Sequence, residues 1–115
     1  MGTAKTIASS DEIGVVLRSG TRKATNLVAV YYSSTPSRRD QSGRVAYIAG
    51  KKLGGAVWRN RSRRVLRAAL AAAGGAVPGL DILLVANART AAAGSEAVGG
   101  EIVRVLAPLR QERLQ

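Results

Sequence analysis

Eight cations stand between residues 44 and 67 with no acid among them: Arg44, Lys51, Lys52, Arg59, Arg61, Arg63, Arg64 and Arg67. The nearest carboxylates in the chain are Asp40 and Asp81. Arg59, Arg63 and Arg67 recur at i, i+4 and i+8, so on a helix they share one face, with Asn60 and Arg64 beside them and Arg61 at its border. Like charges at that spacing repel, weakening a helix by roughly 0.2–0.5 kcal/mol per pair. A polyanion from outside offsets that repulsion, and the planar guanidinium fork suits phosphate oxygens. The other side of the same helix carries Trp58, Ser62, Val65, Leu66, Ala69 and Ala73, which predicts an inward apolar stripe with Trp58 in the core. The Gly50 to Gly55 turn before it (GKKLGG) adds backbone N–H groups at a helix start, where anions bind. It is neither a Walker A loop nor a G-x-G-x-x-G dinucleotide turn.

Other chemistry is closed off by composition. The chain has no Cys and no His, which removes thiol and imidazole nucleophiles, acid/base pairs and zinc ligation by those residues. It has seven carboxylates, and only Asp11 and Glu12 are adjacent, a pair that reads as the acidic first turn of a helix. Two-metal phosphodiester hydrolysis by a protein needs clustered carboxylates. No catalytic residue and no metal ligand is therefore expected in this chain. Its 115 residues carry 18 Lys plus Arg against 7 Asp plus Glu, a net charge of +11, far beyond what solubility requires. Such a balance points to nucleic acid. No apolar run reaches the length of a membrane span, and residues 1–13 lack a signal-peptide pattern, so a cytoplasmic location is expected with no membrane partner.

The elements that must carry the basic helix follow from periodicity. Residues 1–8 look like a flexible leader, and 9–115 like one domain. A first helix runs from Ser9 or Ser10 to Arg18, with Ile13, Val16 and Leu17 on one stripe and Gly20 as its stop. Residues 24–33 read as a strand, 33–42 as a loop and 43–50 as a second strand, the two strands being a possible long-looped hairpin. The basic helix spans 56–73, an almost wholly apolar strand 80–87, and a last helix 95–109, with 91–94 as loop. Gly99, Gly100 and Pro108 weaken that last helix at its ends. The order is α-β-β-α-β-α, a single small α/β sandwich in which the strand-helix-strand unit implies a parallel pair. With no Phe and 3% aromatics, the core must be aliphatic.

The run from Lys51 to Arg67 (KKLGGAVWRNRSRRVLR) resembles the signature of the bacterial ribonuclease P protein subunit. That family typically shows Ser-Lys-Lys-apolar-Gly-Asn-Ala-Val-x-Arg-Asn-Arg followed by a basic helix. Asp81 leading an apolar strand also fits, and the resemblance covers about residues 10–110. Gly50 and Gly55 depart from the pattern, standing where the family has Ser and Asn. The resemblance implies a ribosomal protein S5 domain 2-like fold with a left-handed β-α-β crossover. It implies an RNA subunit that cleaves the 5′ leader from precursor tRNA with Mg2+, no cofactor or small-molecule substrate of the protein alone, and a protein that assists by binding. Lys51, Lys52, Arg59, Asn60, Arg61, Arg63, Arg64 and Arg67 would contact RNA. A cleft for the single-stranded leader would fall at Ile13 and Leu17, matching two family Phe positions, and at Tyr31. Tyr32 and Tyr47 compete with Tyr31 for that role, and the basic segment that often precedes the first helix is reduced to Lys5.

The charge and size alone also suit a ribosomal protein or RNA chaperone, a protein-only nuclease, or an architectural DNA-binding protein.

Overall fold

The computed structural model describes residues 5–7 and 9–113. Strands β1 (Lys5–Thr6), β2 (Thr21–Ala24), β3 (Val28–Ser34), β4 (Arg44–Ile48) and β5 (Leu80–Ala86) form one sheet in the order β1-β4-β5-β3-β2. Helix α1 (Ser10–Ser19) lies on one face. Helices α2 (Ala56–Ala72) and α3 (Thr90–Arg113) cover the other.

The α/β sandwich and its α-β-β-α-β-α order are those the sequence predicts, with short strands added. The expected strand over 24–33 is β3, which begins at Val28, and the chain before it turns back into the additional short strand β2. Thr25 turns the chain there, its hydroxyl donating to the Val28 carbonyl at 3.0 Å and accepting from the Leu27 and Val28 N–H groups. Thr21–Ala24 escapes a pattern reading because all four residues are exposed. The long-looped hairpin of 24–50 does not form. β5 sits between β3 and β4, antiparallel to the first and parallel to the second. This central place puts the most apolar strand under α1 on one face and under α2 and α3 on the other, so both its faces are buried. The parallel β4–α2–β5 unit stands as expected. Within the supposed leader, β1 pairs parallel with β4 and Ile7 is buried; residues 1–4 and 8 lie outside the described residues.

Alternation along the strands sorts the core into two. Val28, Val30, Val45, Ile82 and Leu84 face α2 and α3, against Leu66, Leu70, Val98, Ile102 and Leu106. Ala46 and Leu83 face α1, against Ile7 and Val16. The helix predicted from residue 95 starts just after a break at Gly94, whose φ of 84° only glycine adopts freely; a further helical turn over 90–93, read as the end of a loop in the sequence, precedes the break. Gly99 is buried against α2, where a Cβ would stand 3.2 Å from the Ala69 carbonyl oxygen; the missing side chain lets the two helices approach.

Candidate nucleic-acid interface

Helix α2 buries Ser62, Leu66, Ala69 and Leu70, the i, i+4, i+7, i+8 stripe of an amphipathic helix on a core. Its opposite side must then face solvent. Asn60, Arg61, Arg64 and Arg67 are exposed and Arg59 and Arg63 half-buried. Lys51 and Lys52, in a single 3₁₀ turn ahead of the helix, are exposed as well. All eight predicted RNA-contacting residues therefore lie on one helix face and the turn that enters it. Among the described residues none of Lys51, Lys52, Arg59, Arg61, Arg63, Arg64 and Arg67 joins an ion pair; the recorded pairs fall on Arg39 and Arg44. Arg63 Nη1 donates to Asn60 Oδ1 at 3.1 Å, and the Arg67 guanidinium lies 5.1 Å from the centre of the Tyr47 ring. Arg59 Nε is screened from solvent and has no hydrogen-bond partner among the described residues.

Two expectations for this helix need correction. Trp58 is half-buried outside the core, its ring against Gly54, because it lies a turn ahead of the first buried position, Ser62. Val57, beside the basic face, is 82% exposed. Arg44, counted with the unpaired cations, is buried and paired. Its Nε and Nη2 donate to Asp81 at 3.0 and 2.6 Å, and its Nη1 and Nη2 to Glu12 at 3.3 and 3.0 Å. Thr35 Oγ1 also donates to Asp81, at 2.9 Å. A buried guanidinium needs such partners, and both carboxylates push the Arg44 pKa upward through those hydrogen bonds. The network ties α1 to β4 and β5. It also redirects Glu12: Ser9 Oγ accepts the Glu12 N–H at 3.4 Å as a helix cap, while the Glu12 side chain reaches the sheet. The cap is thus Ser9.

That tether decides what α1 leaves uncovered. Cross-strand register sets out rows on the α1 face of the sheet. Arg44, Asp81 and Ser33 form the row beneath Glu12; Ala46, Leu83, Tyr31 and Arg22 form the next; Ile48, Val85, Ala29 and Ala24 the last. Ile13, Tyr31, Ile48 and Val85 pack on the buried residues there yet stay half-exposed. They leave a half-exposed apolar surface on this face of the sheet. Ile13 and Tyr31 come together as predicted. Leu17, one turn along α1, is 43% exposed and is not packed on this cluster. Tyr32 and Tyr47 fall on the other face, packed against the α2–α3 core, where burial raises the Tyr47 pKa against the opposing charge of Arg67. Ile48, Val85 and Arg22 were missed by sequence reading. Alternation places Ile48 and Val85 each on a face, but only the pairing of β4, β5 and β3 brings those faces together.

Fold and surface together define a class: a small α/β sandwich with one continuous cationic helix face and a half-exposed apolar surface on the α1 side of the sheet. Comparison with known proteins narrows it. The family model described as Ribonuclease P matches residues 1–110. The Ribonuclease P protein component of Acidothermus cellulolyticus is 35% identical over 105 residues, 90% of this chain and 87% of that protein. The fold is similar to the Staphylococcus aureus RNase P protein (TM-score 0.75, 21% identity, 94% of this chain and 97% of that one). It is also similar to the Thermotoga maritima RNase P protein (TM-score 0.71, 18% identity, 89% and 94%). The chain belongs to the ribonuclease P protein family. No helix among the described residues is long and apolar enough to cross a membrane.

Proposed function

We propose that this protein is the RNA-gripping subunit of a ribonuclease P holoenzyme that removes the 5′ leader of precursor tRNA. In this reading the RNA subunit performs the cleavage with Mg2+ and the protein binds. The observation that carries it is the α2 face: aligned guanidiniums without internal counter-charge, on a chain that belongs to this family. Lys51, Lys52, Arg59, Asn60, Arg61, Arg63, Arg64 and Arg67 contact phosphates of the RNA subunit. Arg59 Nε, screened and unpartnered, is a donor that such an acceptor would satisfy. The cleft of Ile13, Tyr31, Ile48 and Val85 takes the single-stranded leader, with Tyr31 as its stacking ring and Leu17 as an exposed apolar rim. Lys51 follows Ile48 by three residues, so the cationic turn adjoins one end of the cleft and a leader strand can pass between them.

Reconstitution tests this. Added to a bacterial ribonuclease P RNA at Mg2+ too low for the RNA alone, the protein should restore cleavage of precursor tRNA at the mature 5′ end. The protein without RNA should cleave nothing. Failure to restore cleavage, with tight binding to ribosomal RNA instead, would assign the surface to another ribonucleoprotein.

A further inference from the structure

Beside Tyr31 on the α1 face stands a cation that neither the basic helix nor the family signature explains. Arg22, on the edge strand β2, is the direct cross-strand partner of Tyr31, so both side chains stand on the α1 face. Its Nε donates to the Tyr31 hydroxyl at 3.1 Å, and its guanidinium carbon lies 5.9 Å from the ring centre. That contact uses one donor. Both Nη groups are left, and the residue is exposed with no ion pair among the described residues. On this face Leu83 stands beside Tyr31 in its own row, Val85 and Ala29 form the row on one side, and Ile13 packs on the same cluster; Ser33 and the mutually paired Asp81 and Arg44 form the row on the other side. An exposed cation fixed by its Nε beside an aromatic ring, with both Nη groups left to donate, is placed for an anionic group carried by an otherwise stacking ligand. The cleft also has fewer rings than its family resemblance implies, since Ile13 and Leu17 cannot stack. A phosphate contact beside Tyr31 supplies affinity that those side chains lack.

We infer that Arg22 is a phosphate-binding residue of the cleft: it takes a backbone phosphate of the single-stranded 5′ leader while the adjacent base lies on Tyr31. This rests on the leader-cleft reading above. β2 and β4 are the outer walls of that path, three strand spacings or about 14 Å apart. The leader would therefore run from Lys51 and Lys52 at the β4 end to Arg22 at β2, with a cation at each end and apolar floor between.

The test uses the holoenzyme assembled from the full chain and ribonuclease P RNA, with two substrates: a precursor tRNA bearing a single-stranded leader of several nucleotides, and mature tRNA. Arg22→Gln should weaken binding of the precursor about three- to five-fold, as loss of one exposed charged contact does. It should leave mature tRNA unchanged and lower the steepness of log affinity against log salt by about 0.7, the value for one phosphate on a single strand. Arg22→Lys should keep most of that slope. Tyr31→Ala is the companion. If Tyr31→Ala is leader-selective but Arg22→Gln loses affinity equally for both tRNAs, or keeps the salt slope, Arg22 merely props the Tyr31 hydroxyl and the inference falls alone. If Tyr31→Ala shows no leader selectivity either, the cleft reading falls with it.

Discussion

At the scale of single residues, three tyrosines illustrate how little their type reveals. Tyr31 and Tyr32 are adjacent, yet one lines the α1 face and the other packs into the α2–α3 core. A one-residue change of strand phase would exchange them. Glu12 shows the same dependence. As a sequence it is an N3 acid near a Ser cap; in the fold its carboxylate holds Arg44. The hydrogen bonds from Arg44 hold its carboxyl below the usual range, aided by the charges of Arg44 and Arg39, while partial burial and Asp81 oppose them. A depressed carboxyl pKa stabilises the folded state fully above the unfolded value, about 4.3, and that stabilisation is lost as pH falls through the folded value. Glu12→Gln should therefore melt below the parent at pH 7, and the gap should close in acid. Thermal unfolding at pH 7 and pH 3 checks this; a gap that stays constant would mean the carboxylate charge contributes nothing.

At the scale of elements, α2 must present a repulsive arginine face and still remain a helix. Its core stripe and its C-terminal end provide the compensation. Arg110, on α3, donates to the carbonyls of Ala73, Gly75 and Ala76 at 3.3, 2.5 and 3.2 Å. These lie at and just beyond the end of α2, where helix carbonyls lack partners. Partial burial lowers the Arg110 pKa without a carboxylate beside it. Arg110→Ala should lower stability by about 1–3 kcal/mol, the cost of leaving such carbonyls unsatisfied. A urea titration reads it as a shift of the midpoint; an unmoved midpoint would show that water replaces the guanidinium. Pro108, read from the sequence as a point where the last helix frays, lies inside α3, which continues to Arg113.

At the scale of the whole molecule, a net charge of +11 is distributed unevenly. Glu12 and Asp81 are engaged with Arg44 on the α1 side of the sheet, and Glu101 accepts the Leu27 N–H at 3.0 Å near the β2–β3 turn. The α2 face is left with its positive field intact. Arg59→Ala combined with Arg63→Ala should weaken binding to the RNA subunit and flatten its dependence on salt by up to about two counterions. Filter-binding titrations over a range of salt measure the slope directly, and an unchanged slope removes the α2 face from the interface.

The basic helix, its solvent face and its partner class were legible along the chain, because helical periodicity and charge are local properties of consecutive residues. The apolar strand of β5 was legible for the same reason. Three features were not: the β2 edge, whose exposed residues carry no alternation, the insertion of β5 between β3 and β4, and the docking of α1 through Glu12, Arg44 and Asp81. Each depends on which distant segments pair, and residues 32 and 37 positions apart have no periodicity linking them. The sequence by itself determined a helix with one cationic face and one buried face. Only the tertiary structure decided which side chains meet at the cleft, since register across four strands places Arg22, Tyr31, Leu83 and Ala46 in one row and the Arg44 tether sets how much of the sheet α1 covers.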